Sequence, residues 1–211
     1  MKKIILLSSL VMVLNLMLIG CSSAPKNSGA TISKVGLKWE TKAQVRDFKN
    51  NKNTNLNIDI ISTENAYLRM EITATLGYPV ASYVSAPKTL KFAIYPQKKF
   101  YFGANSDEAL RPLLGFPLDP NVFQSIVYDK AIRGWTCSLG DDGLVNSCKH
   151  MTKKGEVVVV WQERKEATKR VVIHGPQFEM QWLFVSSAPL NPVKADVFKL
   201  EAPSGYSVIP L

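Results

Sequence analysis

Apolar and polar side chains alternate at every second position along much of this chain, and this pattern limits its fold more than any other feature of the sequence. Successive side chains of a β-strand point to opposite faces of a sheet, so a period of two indicates strands with one buried face. The connections between these segments are short and polar, which favours antiparallel neighbours over helical crossovers. The alternation covers 68–74, 90–95, 178–184 and 198–200, and further strands are predicted over 37–48, 56–62, 80–85, 99–103, 134–139, 144–149, 155–163 and 168–174.

Two short amphipathic segments interrupt the predicted strands. Asn105 and Glu108 have the spacing of a helix cap and the third helical position, and the helix that they begin is expected to stop at Gly115. Asp119 followed by Pro120 indicates a second helix start, since aspartate caps helices and proline fits the first helical position. Because such helices must bury their apolar faces, we expect a mainly β fold of the α+β class, in which an open antiparallel sheet curls around two helices.

The amino terminus has the pattern of a bacterial lipoprotein signal. Residues 1–20 combine a short basic start with an apolar stretch that is too short to span a membrane. The end of this segment, followed by Cys21, resembles the lipobox, in which the cysteine is acylated, for example with palmitate, and becomes the first residue of the mature protein. Residues 21–35 are then a lipidated terminus and flexible tether, and residues 36–211 form one domain. The alternative is an ordinary secretory signal in which Cys21 stands by chance.

The two remaining cysteines, Cys137 and Cys148, are expected to form a disulfide, because export takes the chain to an oxidising compartment. Asp142-Gly143, midway between them, is typical of a two-residue hairpin turn. In that hairpin the residues whose numbers sum to 285 face each other, which places the cysteines opposite one another at a spacing that a disulfide can bridge. Two free thiols in one exposed hairpin are the alternative.

Motif content argues against nucleic acid as a partner, although the chain is basic. It has 26 Lys and Arg against 17 Asp and Glu, and removal of residues 1–20, with two lysines and no acid, leaves a net charge of +7. The chain contains no zinc-finger spacing, no aromatic RNA-binding string and no block of Lys and Arg. The basic surface of an exported protein either faces lipid phosphates and lipopolysaccharide or is simply solvated.

The sequence offers little for catalysis. Its two histidines, His150 and His174, belong to no metal-spaced cluster, and no G-x-S-x-G or H-E-x-x-H motif occurs. Turn geometry accounts for Asp141 and Asp142, and the field at a helix start accounts for Glu108. We therefore expect neither an enzyme nor a bound metal or cofactor.

Five segments with recognisable motifs follow one another along the chain, namely 68–77, 92–96, 105–110, 114–118 and the carboxyl-terminal 198–206, after which the sequence ends in Ile209-Pro-Leu211. In this order, and with the lipobox, they resemble LolB-like outer-membrane lipoproteins of the LolA/LolB lipoprotein-carrier superfamily. The resemblance implies an unclosed half β-barrel of about eleven antiparallel strands, with short helices covering its open side and an apolar cavity beneath them. It also implies a lipid-anchored protein on the periplasmic side of the outer membrane, which takes acyl chains of lipoproteins or lipids from a periplasmic carrier protein. We expect a monomer.

The resemblance assigns roles to individual residues as well. It places a membrane-inserting leucine in a loop just before a glycine, which matches Leu76 and Gly77, and Tyr78 suits the headgroup zone. An exposed leucine at a hairpin tip is the alternative for Leu76. Nine strand residues on apolar faces are expected to line the acyl cavity, although any β protein with one buried face needs such residues to fill its core. The nine are Met70, Ile72, Phe92, Ile94, Phe100, Phe102, Met180, Trp182 and Phe184.

Two functions remain open at this point. In the first, the protein receives lipoproteins or lipids in the cavity and inserts them into the outer membrane. In the second, it is a structural or assembly lipoprotein that uses the half-barrel as a platform for a protein partner. An apolar cavity favours the first function, whereas a tightly packed interior favours the second.

Replacement of Cys21 with Ala is expected to move the protein from the membrane fraction to the soluble periplasmic fraction, because the acyl anchor is attached to that thiol. Cell fractionation followed by immunoblotting measures the distribution. Ser22→Ala is the matched control, since it changes the neighbouring residue and keeps the thiol. Tight membrane association of the Cys21→Ala protein would contradict the lipid anchor.

Overall fold

A computed structural model of the protein describes residues 31–33, 35–64, 67–106, 108–114 and 118–211. The predicted signal, Cys21 and the predicted helix end at Gly115 lie outside the described residues. Within the described part of the chain, no helix is long and apolar enough to cross a membrane. The strands are β1 (Thr31–Ser33), β2 (Gly36–Asp47), β3 (Lys52–Ser62), β4 (Leu68–Ala74), β5 (Pro79–Ser85), β6 (Thr89–Ile94), β7 (Lys99–Ala104), β8 (Thr136–Leu139), β9 (Val145–Thr152), β10 (Gly155–Lys165), β11 (Thr168–Gly175), β12 (Phe178–Leu190), β13 (Val193–Lys194) and β14 (Ser207–Pro210). The α-helices are α1 (Arg111–Leu114) and α2 (Asn121–Val127), and Tyr95–Gln97 and Ala195–Phe198 form 3-10 turns.

Twelve strands form one large sheet in the order β14-β7-β6-β5-β4-β3-β2-β12-β11-β10-β9-β8. Neighbouring strands are antiparallel except β14, which runs parallel to β7. The two ends of this sheet, β14 and β8, do not pair with each other, so the sheet is an unclosed half-barrel. The predicted mainly β architecture is thereby confirmed. Strand β1 lies outside the large sheet and pairs with β13, just beyond the end of β12.

One row of large side chains crosses the concave side of the sheet from β2 to β7. Each neighbouring pair in the row is in direct cross-strand register, so the side chains pack side by side. All six belong to the main core cluster, and each is at most 8% exposed. Because a shift of one residue would turn a strand over, this row fixes which face of each strand is buried. The row consists of Trp39, Ile60, Met70, Tyr83, Phe92 and Tyr101.

Helix α2 packs against the concave side. Ile126 is fully buried there, and the Phe123 ring meets the Tyr83 ring edge-on with centroids 5.6 Å apart. The Asp119 carboxylate accepts a hydrogen bond from the backbone N–H of Asn121 at 2.8 Å, but the cap position is Pro120, one residue later than predicted. The second predicted helix is therefore confirmed, and it begins at Asn121.

The first predicted helix is wrong over its first half. Residues 108–110 form a turn, and α1 has only four residues. Asn105 does not cap α1, because its Oδ1 accepts no hydrogen bond among the described residues. Its side-chain amide nitrogen instead donates to the carbonyl of Ala86 at 3.0 Å and so ties the end of β7 to the β5–β6 connection. Asparagine satisfies backbone groups in connections as readily as at helix starts, and the local pattern is the same in both cases.

The carboxyl-terminal segment packs on the convex face of the sheet. Contrary to prediction, residues 198–200 are not a strand: a 3-10 turn ends at Phe198, and Leu200 packs against Phe100 in a second apolar cluster. Arg69 holds this segment by donating to two of its main-chain carbonyls, at 2.8 and 2.9 Å. Alternate residues thus bury against a sheet without pairing to it, which produces a period of two without a strand.

The β8–β9 hairpin has the predicted register at its cysteines. Cys137 faces Cys148, their Cα atoms are 4.0 Å apart and their sulfurs are bonded. The turn differs from the prediction, because residues 140–144 form a five-residue loop in place of the expected two-residue turn. The Asp142 carboxylate accepts the backbone N–H of Leu144 at 2.9 Å, and this bond stabilises the longer loop.

Replacement of both Cys137 and Cys148 with Ala is expected to lower the free energy of unfolding by about 2–3 kcal/mol, because the bond closes a loop of about twelve residues in the unfolded chain. Urea denaturation without reductant measures the loss, and denaturation of the unchanged protein with reductant is the control, which should show a similar loss. Quantitative thiol labelling of both cysteines in the folded, unreduced protein would show that the bond does not form.

Candidate functional site

The concave face brings together seven of the nine residues that are predicted to line an acyl cavity. They come from β4, β6 and β12, which lie in different parts of the chain. Each belongs to the main core cluster or packs directly against it. The seven are Met70, Ile72, Phe92, Ile94, Met180, Trp182 and Phe184.

The other two predicted lining residues, Phe100 and Phe102, lie on the opposite face, and this corrects the prediction. On β7 it is Tyr101 that points to the concave side, where its ring stacks on Phe92 with centroids 4.5 Å apart. Alternation then directs Phe100 and Phe102 to the convex side, where Phe100 packs in the second apolar cluster and Phe102 is 41% exposed. Three consecutive aromatic residues fit either face of a strand, so the sequence of β7 does not reveal which of them point to the concave side.

Helix α2 covers only part of the concave face. The helix has seven residues and is about 10 Å long, whereas β2, with twelve residues, extends over about 40 Å. Near the helix, Trp182 and Phe184 are at most 1% exposed. Toward the strand ends that carry the β4–β5 loop, apolar side chains of the concave face are half-buried. We name these side chains the apolar rim, which consists of Leu56, Ile72, Ile94, Phe178 and Met180.

The β4–β5 loop, at the same end as the apolar rim, presents two large side chains to solvent. Leu76 is 84% exposed and Tyr78 is 68% exposed. The backbone N–H of Ala74 donates to the carbonyl of Tyr78, and that of Gly77 donates to the carbonyl of Ala74, both at 2.8 Å. Gly77 has a φ of +80°, a backbone conformation that favours glycine. The loop therefore closes tightly and holds Leu76 away from the sheet.

One buried cation joins the helical cover to the sheet. Lys169 on β11 is 3% exposed, and its ammonium donates to the carbonyls of Ile126 and Val127 at 2.7 and 2.8 Å. The same ammonium donates to the Asp129 carboxylate at 2.8 Å and lies 4.6 Å from the centre of the Phe184 ring. Burial lowers the pKa of Lys169, and the Asp129 carboxylate opposes that shift. Lys169 thus binds the carboxyl-terminal end of α2.

The core position of Lys169 was not predicted, because lysine is expected on the polar face of a strand. The alternation of side chains along β11 does indicate this position, because it shows which residues share the buried face. Lys169 stands two residues before Val171 and four before Ile173, so all three share one face, and both apolar residues are buried. A lysine on the apolar face of a strand needs a partner in the core, and the end of α2 supplies it.

The two histidines lie in different surroundings. The His150 ring stacks on Trp135 with centroids 5.2 Å apart, at the β8–β9 hairpin. His174 is half-exposed, and its Nδ1 lies 3.3 Å from the Glu179 carboxylate. Among the described residues, no group of three or more His, Cys, Asp and Glu side chains is placed to hold a metal ion.

Comparison with known proteins bears on the fold. No protein-family model and no curated protein sequence matches the chain. A LolA superfamily protein from Nitrosomonas europaea is similar in structure, with a TM-score of 0.52, 6% identity, and coverage of 82% of this chain and 93% of that one. A domain assigned as an outer membrane lipoprotein-sorting protein from Vibrio parahaemolyticus has a TM-score of 0.46, 7% identity and coverage of 78% and 89%. An uncharacterized conserved protein from Thermus thermophilus has a TM-score of 0.38, 8% identity and coverage of 85% and 92%. The first similarity shows that the chain has the fold of LolA superfamily proteins.

Replacement of Lys169 with Met is expected to loosen α2, because two carbonyls at the helix end and the Asp129 carboxylate lose their donor. The expected fall in the free energy of unfolding is about 2–4 kcal/mol. Hydrogen exchange of the α2 amides, followed by mass spectrometry, should accelerate more than that of β2 to β4. Lys165→Met, at an exposed end of β10, is the matched control. Equal α2 exchange in the Lys169→Met and unchanged proteins would refute the role of this lysine.

Proposed function

We propose that the protein binds acyl chains of lipoproteins or lipids on its concave face and inserts them into the outer membrane. The observation that carries this proposal is the apolar rim, which is continuous with the buried core and stays half-exposed beyond α2. An open sheet presents such a surface while its main-chain groups remain paired along the strands. The fold of LolA superfamily proteins supports the same function.

The free energy available from this surface is large enough for cargo binding. Each methylene that moves from water to an apolar surface contributes about 0.8 kcal/mol. An acyl chain that covers about ten methylenes against the rim and core would therefore gain about 8 kcal/mol before its ordering cost. The five rim side chains carry no polar group that such a chain would desolvate.

In this proposal the protein is anchored through acylated Cys21 on the periplasmic side of the outer membrane. It acts as a monomer and receives its cargo from a periplasmic carrier protein. The positive net charge of the chain favours approach to lipid phosphates. The anchor keeps the domain near the bilayer that receives the cargo, so the acyl chains travel only a short distance.

Leu76 acts at the delivery step of this proposal. Its exposed side chain projects from the same end of the half-barrel as the apolar rim. A leucine in a tightly closed loop can enter the membrane interface while the loop backbone stays hydrated. Tyr78 supports the contact, because a phenol is stable among lipid headgroups.

A platform for a protein partner is the second candidate function, and the packing near α2 favours it. Several of the largest core side chains are fully buried, among them Tyr83, Phe92, Trp161, Trp182 and Phe184. A filled interior leaves an acyl chain only the apolar rim unless α2 moves. A protein partner would need no such movement.

Two variants separate cargo binding from delivery. Ile72→Gln on the rim is expected to weaken binding of a fluorescent fatty acid about 10- to 100-fold, since burial of an isoleucine contributes about 1.5–3 kcal/mol. Leu76→Glu is expected to leave folding and this binding nearly unchanged, while transfer of a bound lipoprotein into liposomes falls sharply, because a carboxylate does not enter the interface. Fluorescence titration and a flotation assay measure the two steps.

The matched controls for this experiment are Leu183→Gln on the convex face and Leu139→Glu on the β8–β9 hairpin. These leucines are 39% and 66% exposed. Leu183 is on the face of β12 opposite Met180 and Trp182, and Leu139 lies at the far edge of the sheet from the β4–β5 loop. Unchanged fatty-acid affinity of Ile72→Gln would reject acyl binding at the rim and favour the platform. Unchanged transfer by Leu76→Glu would remove Leu76 from delivery.

A further inference from the structure

A second concavity lies at the open side of the half-barrel and shares no residue with the apolar rim. Its volume is about 600 Å³, which lies within the range of pockets that hold small ligands. It is formed by residues that follow β7, by residues at the start of α2 and by the β8–β9 hairpin with the segment before it. The side chains that matter for its chemistry are Asn105, Asp119, Asn121, Arg133, Trp135 and His150.

Two stacked rings give this pocket an aromatic wall. The Trp135 and His150 rings have centroids 5.2 Å apart and are inclined by only 19°. Trp135 precedes Cys137 by two residues, and His150 follows Cys148 by two, so the ring pair continues the register of the bonded cysteines just before the start of β8. Trp135 also packs against the main core cluster. The wall is therefore held in place from two sides.

The rest of the pocket carries hydrogen-bonding groups with capacity to spare. The amide nitrogen of Asn105 donates to Ala86, but its Oδ1 is buried without a hydrogen-bond partner among the described residues. One oxygen of Asp119 accepts the backbone N–H of Asn121, and its other oxygen can accept a further bond. Arg133 is exposed and forms no ion pair within the described part of the chain. Donors and acceptors are thus both available.

The formal charges of the pocket nearly cancel. Glu108, at its edge, is bonded to Arg111, and Asp119 is offset by Arg133. A phosphate or carboxylate ligand would have only the guanidinium of Arg133 to bind it and would lie near the Asp119 carboxylate, which disfavours an anion. An acyl chain would remove water from the Asp119 carboxylate and the Arg133 guanidinium without replacing their hydrogen bonds. The pocket suits an uncharged ligand that has donors, acceptors and an apolar face.

We propose that this pocket binds a neutral saccharide. A pyranose ring has C–H groups on one face that pack on an aromatic ring, and hydroxyl groups at its edge that both donate and accept. The wall of Trp135 and His150 receives the sugar face, and the Asp119 carboxylate accepts from its hydroxyls. Arg133 and the Asn121 side chain donate to its oxygens. The proposal does not rest on acyl binding, because the pocket and the rim are separate.

Calorimetric titration of the purified protein with two probes tests the proposal. N,N′-diacetylchitobiose in solution represents a free glycan, and phosphatidylcholine vesicles that carry digalactosyl diacylglycerol represent a glycolipid headgroup. We expect one of these probes to bind and to shift the indole N–H resonance of Trp135. Asn121→Ala and Arg133→Ala change exposed residues, and each should weaken binding at least ten-fold while circular dichroism stays unchanged.

Asn53→Ala and Arg46→Ala, which change exposed residues on β3 and β2, are the matched controls and should bind as the unchanged protein does. Binding of neither probe would overturn the proposal, and so would binding that Asn121→Ala and Arg133→Ala leave intact. An equal loss in Arg46→Ala would overturn it as well, because it would indicate a general effect of charge. Reduction of the disulfide is expected to weaken binding, since the two rings then lose their fixed spacing.

Discussion

An open sheet cannot bury its own concave face, so other parts of this molecule must cover it. A closed barrel of small size fills its interior with its own side chains. Here the two ends of the sheet stay apart, and the cover comes from α2, which at seven residues is too short to be stable alone in water. Sheet and helix therefore stabilise each other: the helix gains an apolar surface to pack on, and the sheet hides part of its face.

Lys169 determines where that cover ends. Its ammonium binds the last carbonyls of α2, where the helix dipole favours a positive charge. Asp129 continues the connection, because its carboxylate also lies 3.8 Å from Arg164, which reaches Asp142 of the β8–β9 loop at 4.0 Å. The helix end, β10, β11 and the disulfide hairpin are thus joined by one set of charges. The apolar rim is the part of the concave face that α2 and these charged residues leave uncovered.

The sequence predicted the fold well wherever one side of a strand is polar and the other apolar. The alternation over 68–74 coincides with β4, and a helix follows Asp119 and Pro120 as expected. Prediction failed where the same local pattern can arise from either of two physical causes. Three consecutive aromatic residues gave no indication that Phe100 and Phe102 face the convex side. Residues 198–200 alternate because they cover the sheet, not because they pair with it.

Long-range contacts account for the remaining differences. Strand β14 was not expected, since its partner β7 lies about a hundred residues earlier and runs parallel to it. The core role of Lys169 depends on α2, whose position over the sheet no local pattern encodes. The saccharide pocket likewise combines residues from three separate segments, each of which is unremarkable alone. Their sequences specify strands, a turn and a cap, and only the fold places their side chains together.

The pairing of β1 with β13 distinguishes the two ends of the half-barrel. It fixes the point where the chain leaves the domain at one end of the half-barrel, next to the start of β2, whereas the β4–β5 loop lies at the opposite end. Strand β4, with seven residues, alone separates these ends by about 23 Å. If the proposed lipid anchor is attached to Cys21, the ten residues from Cys21 to position 30 allow a separation of at most about 36 Å between the membrane and the domain. That separation is barely enough if the half-barrel stands upright on Leu76, and it is more than enough if the half-barrel lies on its side along the membrane.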